Sequence, residues 1–173
     1  MASGRPTDAE YAPFYAGYVA LVPEADALAA LQAQADELRA FAASVPEDRE
    51  LFRYASDKWS VRQVMGHLSD GERVFGHRAF CFSRGEQAAL PAFDENDYVA
   101  RSPFDRVPLR ELVDEFLSVR QGNLAVLRRL SAADWTRTGN ASGKGISVRA
   151  LAYVMAGHPR HHLAVLRGKY GLG

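Results

Sequence analysis

The sequence predicts an all-α protein, a four-helix bundle with a long connection between helices 2 and 3. Four segments of about 20 residues repeat apolar side chains at every third or fourth position, which is the period of an α-helix. Signals typical of β-strands are scarce along the chain. The length of 173 residues, 47% of them hydrophobic and 24% charged, suits a single domain, 1–173, with a buried core.

Two of the four helices lie in the first half of the chain. The first is predicted from about Pro23 to Val45, where apolar residues step three and four positions apart. The second is predicted from about Val61 to Arg84, and Ser60 with Gln63 three residues later predicts a capping box at its start. Its apolar residues recur every seven positions, at Val61, Leu68, Phe75 and Phe82.

A stretch with little periodicity, Gly85 to Val107, separates the second helix from the third. Its prolines and acidic residues predict a long connection, which either covers a functional site or simply links distant helix ends. The third helix is predicted to begin at Pro108, because proline suits the first helical position. A short capping turn follows at Ser131 to Trp135, and the polar segment 136–147 predicts a surface loop or a weak hairpin.

The fourth helix is predicted from Ser147 to about Leu166, with Gly168 as its C-terminal stop. Its inward stripe includes His158 and His162, which are four residues apart and therefore lie one above the other on one face. Each neutral imidazole needs partners for both of its nitrogens, and a shared metal ion would satisfy one nitrogen on each. We interpret His161, beside this stripe, as a flanking residue.

His67 is the third candidate ligand, because it lies between Val64 and Leu68 on the inward side of the second helix. Three histidines with an open coordination position suit zinc, nickel or a similar divalent ion. Three independent buried or boundary histidines are the alternative interpretation. The spacing of the residues leaves both interpretations open.

Three other residues of the second helix are weaker candidates. His77 lies ten residues beyond His67, about 15 Å along the helix axis, so a surface position is predicted for it. Cys81 is about 21 Å along the axis and is predicted to be a small core residue rather than a ligand or a nucleophile. Asp70 could orient an imidazole, but a solvent-facing position is the favoured interpretation.

Composition and missing motifs exclude several classes of protein. Lys plus Arg equals Asp plus Glu, 21 each, which argues against a nucleic-acid-binding protein. The single cysteine excludes a disulfide framework, and no apolar stretch approaches the ~20 residues that span a membrane. The N-terminus lacks the pattern of a signal peptide, so a cytoplasmic location is expected. Neither a serine-hydrolase elbow nor a phosphate-binding loop is present.

Three runs of sequence together resemble the DinB-like superfamily, in particular its YfiT-type branch of metal-dependent hydrolases and bacillithiol transferases. They are WSVRQVMGHLSDGE at positions 59–72, LPAFDENDYV at 90–99 and GHPRHHLAVLRGKYG at 157–171. The resemblance implies a four-helix bundle that binds a divalent metal through His67, His158 and His162. It also implies a homodimer and a small-molecule substrate. The aromatic N-terminal arm either docks such a partner or covers the chain's own core, with residues Tyr11, Phe14, Tyr15 and Tyr18.

One residue departs from a simple helical pattern. Pro159 follows His158 directly, inside the fourth predicted helix. Proline removes a backbone donor and clashes with the carbonyl group four residues earlier, here that of Met155. We therefore expect either a kink at the metal site or a new helical turn that begins at Pro159. A kink would move His158 away from His162.

The favoured functional hypothesis, carried by the resemblance, is a metal-dependent transfer of a low-molecular-weight thiol, such as bacillithiol or mycothiol, to an electrophilic small molecule. The metal would act as a Lewis acid that lowers the pKa of the incoming thiol, so no protein side chain is assigned as a catalytic residue. One alternative is a metal-dependent hydrolase that activates water at the same position. The others are a non-catalytic metal-binding stress protein and a helical interaction domain without metal.

Overall fold

Helices make up most of residues 4–172, the part of the chain that the computed structural model describes. Four long helices form the predicted bundle, and the described residues add short helices and a two-stranded sheet. Residues 1–3 and 173 of the predicted domain 1–173 lie outside the described residues. The elements, in chain order, are α1 (Ala16–Ala20), α2 (Ala27–Ser44), α3 (Val61–Ser83), α4 (Glu95–Arg101), α5 (Leu109–Leu127), α6 (Ala132–Thr136), β1 (Thr138–Ala141), β2 (Lys144–Ser147) and α7 (Val148–Tyr170).

The long helices are α2, α3, α5 and α7, and each packs mainly against two of the others. Helix α3 contacts α5 and α7, and α2 contacts the same two helices from the opposite side. As a result α2 and α3 face each other across one diagonal of the bundle, and α5 and α7 across the other. The candidate histidines lie on α3 and α7, so the topology places their helices side by side.

A buried arginine joins all four bundle helices. Arg120 of α5 is 1% exposed and forms a two-pronged ion pair with Glu72 of α3, at 2.8 and 2.9 Å. Its remaining N–H groups donate to Gln34 Oε1 and the Leu31 carbonyl of α2 and to the Met155 carbonyl of α7, at 2.7, 3.1 and 3.0 Å. All five guanidinium donors are therefore used, as a buried charge requires.

The capping box predicted for α3 is confirmed. The Ser60 hydroxyl accepts from the Gln63 backbone N–H at 3.0 Å, and Gln63 Oε1 accepts from the Ser60 N–H at 3.1 Å. This exchange satisfies two backbone donors that have no partner inside the helix. It fixes the start of α3 two turns before His67, and the helix ends at Ser83, one residue before the predicted end.

Several other boundaries differ from the predictions. Helix α2 begins at Ala27 rather than near Pro23, because the Asp26 carboxylate caps it by accepting from the Leu28 N–H at 3.1 Å. Pro108 is the N-terminal cap of α5 rather than its first residue. Helix α7 continues past Gly168, which is helical, and ends at Tyr170. Gly171 caps it, with a φ of +65°, a left-handed conformation that favours glycine.

The connection after α3 contains regular structure that the low periodicity did not predict. Asp94 is the N-terminal cap of helix α4. Its carboxylate accepts from the backbone N–H groups of Asn96 and Asp97, at 2.9 and 3.1 Å. A 3-10 turn at Phe104–Arg106 follows, and Phe104 packs against Gly66 of α3. The second half of the connection therefore packs against α3.

Of the two interpretations for segment 136–147, the hairpin is the one observed. Strands β1 and β2 pair antiparallel, with Thr138 opposite Ser147. The turn between them is tight because Ser142 and Gly143 have φ values of +56° and +75°. Leu90, in the long connection, bonds to the outer edge of β1 through the Asn140 and Ser142 backbones.

The aromatic N-terminal arm mainly covers the chain's own core, as one of its two interpretations holds. Tyr15 is buried in the core, and Tyr11 and Tyr18 pack against it, whereas Phe14 is 67% exposed. The homodimer stays a prediction.

Within residues 4–172 no helix combines the length and the hydrophobicity needed to cross a membrane.

Helix α1 lies unusually close to α7. A Cβ atom at Gly157 of α7 would overlap the backbone of Tyr18, so only glycine permits this approach.

We expect Gly157→Ala to lower the free energy of unfolding by about 1–3 kcal/mol, because the added methyl group has no space. Denaturant unfolding checks this result. Gly168→Ala is the control in the same helix: no atom lies within 4 Å of its added Cβ, and a gain of up to about 1 kcal/mol is expected. Equal destabilisation by both substitutions would contradict the close approach.

Candidate metal centre

The three histidines that the sequence analysis selected meet in one place. The ring of His67 on α3 lies 4.8 Å from the ring of His158 and 4.8 Å from that of His162, both on α7. The last two rings are 4.7 Å apart. One nitrogen from each residue lies within 4.8 Å of the others. The interpretation as three independent histidines is therefore wrong, since the side chains form one cluster.

Pro159 does not separate the two histidines of α7. The helix continues through it from Val148 to Tyr170, and His158 and His162 remain on one face. The Met155 carbonyl, which loses its usual backbone donor to the proline, accepts from Arg120 instead at 3.0 Å. The next carbonyl, that of Ala156, accepts a hydrogen bond from the Gln34 side chain. A side chain of α5 thus satisfies the carbonyl that proline leaves without its backbone donor, and a side chain of α2 bonds to the carbonyl beside it.

All three imidazoles are neutral near pH 7. Burial lowers the pKa of His67 to about 4. Burial, with smaller contributions from His67 and His161, lowers the pKa of His162 to about 3. Burial also moves the pKa of His158 well below its usual value, and the neighbouring histidines add to that shift. A neutral imidazole keeps a lone pair, which is the form that binds a metal ion.

The hydrogen bonding of the cluster fits a divalent cation. His67 Nε2 faces His158 Nε2 at 2.9 Å, so two nitrogens compete for a single proton. The other ring nitrogen of His67, Nδ1, is buried and has no hydrogen-bond partner among the described residues. Three neutral nitrogen donors of this kind suit zinc, nickel and related borderline ions. His67, His158 and His162 could therefore hold such an ion together.

Aromatic side chains enclose the cluster. The ring of Trp59, just before α3, lies 4.7 Å from that of His67. The rings of Tyr18 on α1 and Phe75 on α3 each lie 5.6 Å from the ring of His158. These three side chains shield the histidines from solvent, which explains the lowered pKa values.

A glycine makes room for the cluster, and sequence reasoning missed it. Gly71 lies one turn after His67 on the same face of α3, and a Cβ there would come within 2.7 Å of His158 Cε1. Any larger side chain would therefore push His158 away. The signal was present in the sequence, because a glycine four residues after an inward histidine leaves space beside it.

The histidines line one end of a cavity of about 340 Å³. The sequence analysis did not associate most of its other lining residues with the site, because they come from five separate segments. They include Phe14, Tyr18, Trp59, Phe75, Arg78, Phe93, Glu95, Ser142 and Lys144. Residues 92–95 belong to the connection after α3, so this connection does cover the site, as one of its two interpretations holds.

The weaker candidates lie outside the cluster. His161 is exposed beside it, with its ring 5.1 Å from that of His162, in the flanking position predicted. His77 is exposed, as predicted, and its Nε2 lies 3.6 Å from the sulfur of the partly buried Cys81. Asp70 is half-buried, and burial raises its pKa. No hydrogen bond in the described part of the chain joins Asp70 to an imidazole.

Comparison with known proteins agrees with the predicted fold and family. Residues 25–166 match the family model of the DinB superfamily. The chain belongs to this superfamily. Within the superfamily it is 28% identical over 112 residues to the protein of Oceanobacillus iheyensis named "Putative metal-dependent hydrolase OB0782". That match covers 64% of each protein, so this DinB chain spans less than two thirds of the relative's length.

Two solved structures share the architecture of this DinB chain. YfiT from Bacillus subtilis, described as "a probable metal-dependent hydrolase with an unusual four-helix bundle topology", superimposes with a TM-score of 0.76 at 18% identity. The match covers 85% of this chain and 87% of YfiT. The mycothiol-dependent maleylpyruvate isomerase gives a TM-score of 0.64 at 11% identity, over 79% of this chain and 57% of the isomerase.

Proposed function

We propose that this DinB protein is a divalent-metal-dependent enzyme that transfers a low-molecular-weight thiol to an electrophilic small molecule. The observation that carries the proposal is the cluster of three neutral imidazoles at the end of an aromatic cavity. Ser142 lines the cavity, but its Oγ accepts from Arg78, and within residues 4–172 its hydroxyl has no hydrogen bond to a histidine or a carboxylate. No side chain is therefore assigned as the nucleophile, and in this proposal the incoming thiol takes that role.

The proposed ligands are His67, His158 and His162, with the metal zinc or nickel. A divalent ion held by them would act as a Lewis acid and lower the pKa of a bound thiol. The residues around it have separate tasks. Trp59 and Phe75 exclude water beside the imidazoles and offer apolar surface to the electrophile, and a drier site strengthens electrostatic interactions. No cysteine lines the cavity within residues 4–172, which agrees with a thiol that arrives from solution.

A metal-dependent hydrolase is the second candidate function. It is favoured by the names given to the Oceanobacillus relative and to YfiT. Glu95 and His161 line the same cavity and offer groups that could accept a proton from water. Both are exposed, and the ring of His161 lies 5.1 Å from that of His162, so a group that could accept a proton from water stands beside the cluster.

Turnover assays separate the two functions. We expect zinc- or nickel-loaded protein to add a thiol to an epoxide, with formation of the thioether measured by mass spectrometry. His67→Ala is expected to reduce this rate by more than about 100-fold, because it removes a proposed ligand. His77→Ala is the control, since His77 is exposed and outside the cluster. Hydrolysis of esters or amides without thioether formation would favour the hydrolase, and metal binding without any turnover would favour a binding protein.

A further inference from the structure

Arg78 is a buried cation without a counter-ion. Its side chain is only 2% exposed, yet it forms no ion pair with any carboxylate of residues 4–172. Arg120, the other deeply buried arginine, is in contrast paired with Glu72. An arginine keeps its charge at all ordinary pH values, and burying an unpaired charge is unfavourable. The position of Arg78 therefore calls for an anion that the chain does not provide.

The guanidinium group of Arg78 is also only partly used. Both hydrogen bonds come from Nη2, which donates to the Pro91 carbonyl at 2.8 Å and to Ser142 Oγ at 2.9 Å. Nε and Nη1 have no hydrogen-bond partner among the described residues, and neither atom is fully buried. Three of the five N–H donors are thus free to bind a ligand.

Arg78 lines the same cavity as the histidine cluster. It lies 11 residues after His67 on α3, which is three helical turns, about 16 Å, along nearly the same face. Between them lies Phe75, whose ring is 5.6 Å from His158 and 6.5 Å from Phe93. The cavity therefore has imidazoles at one end, a cation at the other and an aromatic middle.

The other charged groups of the cavity do not neutralise Arg78. Glu95 and Lys144 both line the cavity and are both exposed, and they carry opposite charges. Arg78 and Lys144 together outweigh the single carboxylate of Glu95, so the charged side chains of the lining sum to a net positive charge. Since exposed charges are screened by solvent and Arg78 is buried, Arg78 dominates the selectivity of the cavity.

We propose that this cavity binds a small carboxylate with an apolar body, and that Arg78 binds the carboxylate group while Phe75 and Phe93 contact the body. The opposite end of such a molecule would then lie toward His67, His158 and His162. Arginine donors recognise carboxylates specifically, through paired hydrogen bonds. The inference names the substrate class for the proposed function and rests on that function only for the reaction at the histidine end.

A structural role makes a different prediction. Through Nη2, Arg78 also links the connection at Pro91 to the β-hairpin at Ser142. If that were its only role, removing it would disorder the cavity and weaken every ligand alike. Anion binding instead predicts a loss confined to charged ligands, and this difference determines the choice of probes.

The test measures the binding of 3-phenylpropionate and of its neutral isostere, 3-phenylpropanamide, to metal-free protein by NMR titration. The wild-type protein is expected to prefer the carboxylate about tenfold or more, as a hydrogen-bonded buried charge allows. Arg78→Met should weaken carboxylate binding by about tenfold and change amide binding by less than about twofold. Arg78→Lys should keep part of the preference, because it keeps the charge. Arg84→Met, which removes an exposed charge at the end of the same helix, should change neither.

Three outcomes would overturn the proposal. One is equal binding of the two probes by wild-type protein, a comparison that holds even if Arg78→Met fails to fold. Another is an equal loss of both probes in Arg78→Met, which would assign Arg78 a structural role. The third is an equal loss of carboxylate binding in Arg84→Met. Because the protein is metal-free, failure of the metal-dependent function would leave all these measurements unaffected.

Discussion

Alanine in place of His67, His158 or His162 is expected to weaken binding of zinc or nickel by more than about 100-fold, because even the loss of groups that merely orient ligands costs 10- to 100-fold. The three nitrogens lie within 4.8 Å of one another, so each substitution leaves only two of them. Metal content of the purified variants and competition with a chromogenic chelator measure the effect. The metal-free variants are expected to fold, since each substitution removes a polar ring, buried for His67 and His158 and half-buried for His162.

The controls for this prediction are His161→Ala and His77→Ala. His161 lies beside the cluster but is exposed. His77 is also exposed and lies about three helical turns after His67 on α3. Both variants should bind metal like the wild-type protein. Unchanged metal content in His67→Ala and His162→Ala would contradict the metal centre, and with it the proposed enzyme.

Arg120→Met is expected to lower the free energy of unfolding by about 3–5 kcal/mol, the largest effect on stability that we predict for a single side chain. The substitution leaves the Glu72 carboxylate buried at 2% exposure without its ion pair, and it removes the donor to the Met155 carbonyl. Asn123 would still donate to Glu72 at 2.8 Å, but one neutral donor does not replace a guanidinium group. Urea unfolding followed by circular dichroism measures the change.

A second ion pair between the same two helices provides the control. Arg73 of α3 and Glu115 of α5 lie 2.8 Å apart, with side chains 48% and 38% exposed. Arg73→Met is expected to change stability by less than about 1 kcal/mol, because solvent screens an exposed pair. The double variant Arg120→Met, Glu72→Met should recover part of the loss, since it removes the unpaired charge. Equal effects of Arg120→Met and Arg73→Met would show that burial of the pair does not matter.

The sequence predicted those parts of the molecule that depend on neighbours a few residues apart. The capping box of Ser60 and Gln63 is local, and so is the pairing of His158 with His162 on one helical face. The bundle follows from four apolar stripes, and His67 joins the site because its stripe also faces inward. The family resemblance then selected the same three histidines, and the structure brings them together.

The rest depends on contacts between distant segments, which periodicity does not report. Helix α1 covers the histidines only because Gly157 permits its approach. In the sequence, Arg78 looks like one more charged residue of an amphipathic helix. It is buried in the structure because the connection at Pro91 and the hairpin at Ser142 pack against it. The stop predicted at Gly168 is wrong, because Tyr170 and Leu172 are buried in the core with Leu166 and the helix continues to Tyr170.

Pro159 has a consequence for how the two diagonal helices hold together. By excluding an amide hydrogen beneath the Met155 oxygen, the proline frees that oxygen for a guanidinium group from across the bundle. An alanine at position 159 would favour the helix locally. Its backbone N–H would, however, compete for the Met155 oxygen and weaken the hydrogen bond from Arg120 that joins α5 to α7. A residue that ordinarily breaks helices thus makes a backbone oxygen of α7 available for a hydrogen bond from α5.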